Sequence, residues 1–199
     1  YREAEQDSYY YRIMMYHFPF FTQSPAANIQ TSCSYVVLVP LDNTHTMQWW
    51  LSTDPARAGR PENEMALLPN TSGWLGRYRA AVCMEDDMGI DRNAQRYDPT
   101  WKGFTGIASI PDQDRGIAES QGPIQDRSIE HLAGSDAMII QVRKLLTTAA
   151  VALRDHGAVP PGVDAPELYR QRSGSITLPR EVDVWDATAD LREAFKAPV

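Results

Sequence analysis

Cysteine is almost missing from this chain: Cys33 and Cys83 are the two among 199 residues. They form no Cys-x-x-Cys pair and no disulfide framework, so the chain's own thiols support neither an iron–sulfur nor a zinc site, and the expectation is that both are small buried apolar residues. Basic residues are in deficit, with 19 Lys and Arg against 26 Asp and Glu and a formal charge of -7. No Lys- or Arg-rich stripe compensates locally, which argues against nucleic acid or an anionic membrane as a partner. Long apolar runs are lacking too: stretches such as Tyr35 to Leu41 are too short to cross a bilayer, and no charged-then-apolar leader stands at the start. A cytoplasmic protein is the expectation. Paired histidines are the last absence, since none of the four (His17, His45, His131, His156) stands three to five residues from another, the spacing at which one element offers two imidazoles to a metal.

What is present is apolar bulk, 43% of the residues, enough for one domain with a substantial core. The chain starts at Tyr1 with a polar segment, YREAEQDSYYYR, and the expectation is that polypeptide precedes it. A strand is expected over Arg12 to Phe21, rich in Met, Tyr and Phe and ended by Ser24-Pro25. Two more follow, Asn28 to Pro40 with the core SYVVLVP, and Thr46 to Ser52. Leu41-Asp42-Asn43-Thr44 between them has the composition of a turn, making the pair an antiparallel hairpin. Tyr35, Val37 and Val39 alternate with Ser34, Val36 and Leu38, and both sets are apolar enough to predict cover on two sides.

From Thr53 to Thr100 the pattern breaks into loops, with a polar DPARAGRPENE and an aperiodic RNAQRYDPTW. The Glu85-Asp86-Asp87 run lacks the alternating acids and central glycine of a calcium loop and reads as solvated surface. The last third is helical. Ser109 is the expected N-cap of a helix with Pro111 in its first turn and Asp112 near its positive end, running to about Gln121 before Gly122-Pro123. On it Asp114, Ile117, Ala118 and Gln121 share one face, predicted to look inward, while Arg115 and Glu119 lie on another. A second helix is expected from Ser135 to a terminal Gly157, with Met138, Ile139, Val142, Leu145, Leu146, Ala149 and Leu153 on one stripe. A helix this long belongs across an antiparallel sheet, an α+β arrangement in which a curved sheet grips the helix.

Asp114 is the residue that asks for an explanation. A carboxylate on an apolar face is costly without a partner, and one carboxylate does not hold a metal by itself. His45 in the hairpin turn, His131 in a linker and His156 at a helix end read as solvent-facing. His17, between Tyr16 and Phe18, reads either as a satisfied core histidine or as one pointing into a cavity. Spacing alone therefore yields no complete metal site.

The segment GIDRNAQR (Gly89 to Arg96), followed by GFTGIASIPDQDRGIAESQGPIQDRSIEHLAGSDAMIIQVRKLL, resembles the C-terminal catalytic half of Rieske non-heme iron oxygenase α subunits of the phthalate 4,5-dioxygenase type. The earlier YVVLVPLDNTHTMQWW is similar to that group's hairpin, and the resemblance runs in order over roughly Arg12 to Gly157. It implies a helix-grip (START/Bet v 1-like) domain, incomplete in this chain, in which two His and one Asp bind mononuclear Fe(II). The family's Gln-Asp matches Gln113-Asp114, which assigns iron ligation to Asp114. The same resemblance implies O2 and an aromatic substrate, hydroxylated or O-demethylated, possibly phthalate-like. Electrons from NADH would arrive through a reductase or ferredoxin and a 2Fe-2S cluster held by Cys and His, in a homotrimer.

The departures are as definite. The family's Cys-x-His, Cys-x-x-His and His-x-x-x-x-His motifs, which lie N-terminal to the matching region, are absent, so this chain alone is expected neither to bind the cluster nor to hold iron tightly. Residues 1–157 are expected to be the C-terminal part of the mononuclear-iron catalytic domain, and 158–199 a tail packing on that domain or on a neighbouring subunit. Strand residues and the segment before the aspartate helix line the pocket in related enzymes, which suggests His17, Tyr35 and Phe104 as substrate contacts. A carboxylated substrate would call for Arg77, Arg79 or Arg96. The competing reading is a stand-alone helix-grip module that binds an apolar ligand without chemistry.

Overall fold

A computed structural model describes residues 1–5, 7–25, 28–29, 33–53, 79–100 and 104–193. The chain forms two compact units, one of Tyr1–Arg57 with Glu130–Val199, the other of Ala58–Ile129. In the first, β1 (Arg2–Glu3), β2 (Ser8–Ile13) and β7 (Gly174–Pro179) make one antiparallel sheet in the order β1-β2-β7. A second antiparallel sheet is ordered β3-β4-β5-β6, from β3 (Met15–His17), β4 (Phe21–Ser24), β5 (Ser34–Pro40) and β6 (Thr46–Ser52). Helices α1 (Arg92–Tyr97) and α2 (Ile110–Glu119) belong to the second unit, and the long α3 (Ala137–His156) to the first.

The β5–β6 hairpin forms as its composition predicts, in register from Pro40↔Thr46 to Ser34↔Ser52. Asp42 organises the turn: its carboxylate accepts from the Thr44 N–H at 2.7 Å and the His45 N–H at 2.8 Å, closing the loop on its own backbone. The Thr44 backbone donor first, then the His45 ring, hold the Asp42 carboxyl down at about 2.

The single strand expected over Arg12 to Phe21 is instead two. β2 ends at Ile13 and β3 begins at Met15, because the chain leaves one sheet for the other at the exposed Met14. The apolar and aromatic run is continuous across that point, so nothing in the sequence marks the crossing. β3 and β4 turn through Phe18 to Phe20 with a cis Phe18–Pro19 bond, and the Tyr16 hydroxyl donates to the Pro19 carbonyl at 2.7 Å. A second difference is α1, six residues within an expected loop and too short to show a helical period. Its N-cap is Asp91, which accepts from the Asn93 and Ala94 N–H groups, both at 2.9 Å, as a capping acid does. DPARAGRPENE and Arg77 lie outside the described residues.

Residues beyond 157 supply β7, which pairs with β2 from Ser8↔Pro179 to Ile13↔Gly174. A buried glutamine joins this return segment to the other sheet. Gln23 on β4 donates to the Tyr35 hydroxyl at 2.9 Å and the Gln171 carbonyl at 2.6 Å, and accepts from the Ser173 N–H at 2.7 Å. Ser173 also donates to the Ser24 carbonyl at 2.8 Å. With both amide donors and the carbonyl engaged, the fully buried side chain carries no unsatisfied group.

α3 follows a short 3-10 turn at Gly134–Asp136 and stops at Gly157, whose φ of +65° is the left-handed cap that only glycine adopts freely. The predicted apolar stripe is on it, yet no residue of α3 is buried, and Met138, Ile139, Leu145 and Leu153 stay exposed. Among the described residues, cover on both faces of the hairpin is likewise not supplied: Val37 is buried, while Leu38, Trp49, Trp50 and Leu51 are exposed. Antiparallel sheets and a long helix are both present, each keeping an apolar face bare, and bare faces of this kind mark contact surfaces. Among the described residues no helix is long and apolar enough to cross a membrane.

Candidate functional site

Asp114 rides on α2, whose start is built by Ser109. The Ser109 hydroxyl accepts from the Asp112 N–H at 3.2 Å and donates to the Asp112 carboxylate, and Pro111 fits the first turn. The Asp112 side of the helix packs inward. Asp112 is buried, and Arg115 donates to it at 3.1 Å, to the Val82 carbonyl at 2.5 Å and to Glu119 at 3.1 Å. Gly116 lies against the buried Met88, where an added Cβ would stand 3.3 Å from Met88 Cγ. Met88 and Asp87 both have φ of +56°, a region that costs a non-glycine residue about 1–3 kcal/mol, so packing against α2 has to offset that cost.

The opposite face carries Asp114, Ile117, Ala118 and Gln121. Its composition predicts an inward face, and the structure corrects this for the present chain: Ile117 is 69% exposed and Asp114 is exposed as well. The reason is physical. A glycine that permits close approach, with Arg115 bonded through a terminal nitrogen to the buried Asp112, makes the packing contact instead of the isoleucine. The Asp114 carboxylate makes no hydrogen bond or ion pair among the described residues. It suits a metal as a single oxygen donor, and among the described residues no three of His, Cys, Asp and Glu cluster to hold one.

The two stretches that flank α1 in sequence are locked together. The Asp91 N–H donates to the Gly106 carbonyl at 2.9 Å. Gly106 has φ of +74°, and a Cβ there would come within 2.6 Å of the Asp91 carbonyl oxygen, so the position admits only glycine. Phe104, just before it, is 85% exposed. Arg79 and Arg96 are surface residues, the Arg96 guanidinium lying 5.9 Å from the Tyr97 ring centroid.

His17 and Tyr35 come together in the first unit, with ring centroids 6.5 Å apart, and Tyr169 stands 5.7 Å from His17 on another side. His17 is 8% exposed, and its Nε2 is buried with no hydrogen-bond partner. Burial pushes its pKa below the ordinary 6.5, because the charged imidazolium is the form that loses hydration. His17 is therefore neutral at about pH 7. Its folded pKa lies below its unfolded one, so its contribution to stability is complete above pH ~6.5 and declines as the pH falls from there through the folded value. In the complete protein, the urea midpoint is expected to drop between pH ~7.5 and ~5 by more than in a His17→Phe variant. Equal drops would contradict a buried neutral histidine.

The other histidines stand where the sequence puts them: His45, His131 and His156 are exposed. Cys33 is buried, as expected, and Cys83 is only half-buried, at the edge of the turn that carries Met88. Sequence reasoning misses three residues that hold this architecture: Gln23, Asp112 and Arg115. The Asp-x-x-Arg spacing within α2 was the available signal for the last two, since three residues place them on one face. Gln23 has no local signal, because its partners Gln171 and Ser173 lie 148 and 150 residues away.

Residues 2–183 match the family described as LigXa C-terminal domain like. The chain is 33% identical over 204 residues to the oxygenase subunit of 3-chlorobenzoate-3,4-dioxygenase from Comamonas testosteroni, a match covering 95% of this chain and 46% of that protein. It is 31% identical over 125 residues to the oxygenase subunit of phthalate 4,5-dioxygenase from Pseudomonas putida, covering 58% of this chain and 26% of that protein. The chain spans about half the length of the first of these curated relatives.

Proposed function

Because the chain belongs to the LigXa C-terminal-like family, matched over residues 2–183, we propose that it is the iron-ligating and substrate-binding half of the oxygenase subunit of a Rieske-type aromatic-ring oxygenase. The observation that carries this reading is the exposed carboxylate of Asp114, without a partner among the described residues, on the helix face it shares with Ile117 and Ala118, in a chain whose relatives are named oxygenase subunits. A bare apolar surface marks a contact face, and the hydrated Asp114 carboxylate on α2 is an oxygen donor that no protein group engages among the described residues. A metal with two histidine ligands, and the polypeptide that brings them, satisfies both at once.

In the complete subunit the fold is helix-grip, with the uncovered faces of the β5–β6 hairpin and of α3 closed by the rest of the domain. The two histidines and the 2Fe-2S cluster ligands belong to polypeptide outside these 199 residues. NADH-derived electrons reach the cluster through a reductase or ferredoxin, and the subunits form a trimer. Ferrous iron held by two His and one Asp supplies activation of O2 beside the ring.

This chain's own residues contribute the rest. Asp114 gives one anionic oxygen donor. His17 and Tyr35, the latter with its hydroxyl held by Gln23, are the first unit's contacts to the substrate. Phe104 supplies apolar wall. A few placed polar groups in an apolar surround orient a flat ring. The relatives are named for chlorobenzoate and phthalate, and an aromatic carboxylate is the substrate class proposed here. A non-catalytic binding module gives Asp114 no partner and has no counterpart among these relatives.

The test is turnover by the complete protein with reductase, NADH and heavy-isotope O2, using 3-chlorobenzoate and phthalate. The expected result is NADH-dependent product carrying label from O2. An iron-loaded, cluster-loaded protein that binds these acids but incorporates no label contradicts the reading.

A further inference from the structure

We infer that Arg115, gripped by Asp112, is a positioning residue that sets the rotation of α2 and so aims Asp114 at its metal; the inference rests on the ligand role proposed for Asp114. Two contacts on the face opposite Asp114 tie the helix to other segments and fix it about its own axis, Arg115 on the Val82 carbonyl and Gly116 on Met88, and Asp112 holds Arg115 in place for the first. Arg115 bridges the buried Asp112 carboxylate and the Val82 carbonyl, at 3.1 and 2.5 Å. Asp112 is closed from its other side by the Ser109 hydroxyl. Gly116 seats on Met88, at a separation where even a methyl group meets side-chain carbon at 3.3 Å. At the start of the helix Gln113, the neighbour of Asp114, donates to the Ile107 carbonyl at 3.0 Å, adding a stop against rotation the other way.

Among the described residues the Asp114 carboxylate has no hydrogen-bond or ion-pair partner that could orient it. Adjacent residues on an α-helix are about 100° apart, because there are about 3.6 residues per turn. Turning the helix by a fraction of that step would swing the Asp114 carboxylate away from any fixed point. Its direction is therefore set through the backbone by the residues one position and two positions away. Groups that orient a metal ligand without touching the metal typically change affinity by about 10–100-fold when lost.

The experiment is a ferrous-ion titration of the complete protein against a competing chelator, well below the unfolding temperature, with cluster absorption recorded as the check on folding. Arg115→Met, which keeps the apolar stem, is expected to weaken ferrous binding about 10–100-fold with cluster absorption unchanged. Asp112→Asn is expected to act in the same direction, and the double variant to be no weaker than the worse single one, since the pair acts as a unit. A purely structural role lowers the unfolding midpoint but leaves the affinity of the folded protein at the parental value, and that outcome overturns the inference. Should Arg115→Met lose its cluster, Asp112→Asn, which preserves side-chain shape, decides by the same criterion. Asp114→Ala in the same titration separates the two claims. If it keeps iron, the ligand role and the inference fall together; if it loses iron while Arg115→Met and Asp112→Asn keep it, only the inference falls.

Discussion

Replacing Gly174 with alanine is expected to destabilise the first unit by about 3 kcal/mol or more, at or above the upper end of ordinary overpacking. A Cβ at this position would sit 2.2 Å from Ile29 Cα and 2.5 Å from Ile29 Cβ. The obstacle is backbone, so no rotamer change relieves it. Nor does the neighbour have room to retreat, because Ile29 is fully buried and its N–H donates to the Ser175 carbonyl at 3.0 Å, fixing the two segments side by side. On its own strand Gly174 pairs with Ile13, another buried residue. Relief would need β7 to part from β2 or from Ile29, and either would strain the Gln23 junction through Ser173. A loss of that size is a large share of a domain's stability of about 5–15 kcal/mol. Urea unfolding of the complete protein reads it directly, and a change under about 0.5 kcal/mol would show that the close approach at Ile29 is not a constraint.

Elements with local signals were legible in the sequence. The β5–β6 hairpin announced itself through β-branched strands around an Asp-Asn turn, and Asp42 does in the structure what such a residue does in a turn. α3 and its Gly157 cap followed from an apolar stripe of helical period, and the start of α2 from Ser109 and Pro111. Non-local features were not legible. β7 is six residues with one proline at its end, and only its pairing with β2 makes it a strand. Gln23 reads as an ordinary strand glutamine until Gln171 and Ser173 arrive beside it.

The face of α2 that packs is not the one its periodicity predicts, for a reason that generalises. Periodicity names the more apolar face, whereas the face that packs within this chain is chosen by Gly116 against Met88 and by the Asp112–Arg115 pair. From its position Asp112 reads as a helix-dipole acid, a role that needs no burial; buried, it is a hydrogen-bond acceptor for Ser109 and Arg115. Asp114 keeps the place on α2 that the resemblance gave it, and its exposure is the feature that spacing could not supply.

That exposure leads to the largest functional effect. In the complete protein, Asp114→Ala is expected to remove the single anionic ligand of the mononuclear iron. Loss of a supporting group already weakens metal binding by about 10–100-fold, so loss of a ligand from a three-residue set should exceed that and abolish occupancy at ordinary ferrous concentrations. The fold should not suffer, because among the described residues the Asp114 carboxylate makes no hydrogen bond or ion pair, and the helix is anchored from its other side by Arg115 on the Val82 carbonyl and Gly116 on Met88. An exposed Asp-to-Ala change in a helix interior is neutral or slightly favourable by intrinsic propensity. Iron and stability are thus predicted to separate cleanly.

The decisive measurement is the iron content of the purified complete protein, parent beside Asp114→Ala, with the cluster quantified independently from its absorption. The parent should hold iron in excess of its cluster, and the variant should hold cluster iron alone, with unchanged absorption and an unchanged unfolding midpoint. Mononuclear iron retained at the parental level by Asp114→Ala would contradict the assignment of Asp114 as the ligand this chain contributes.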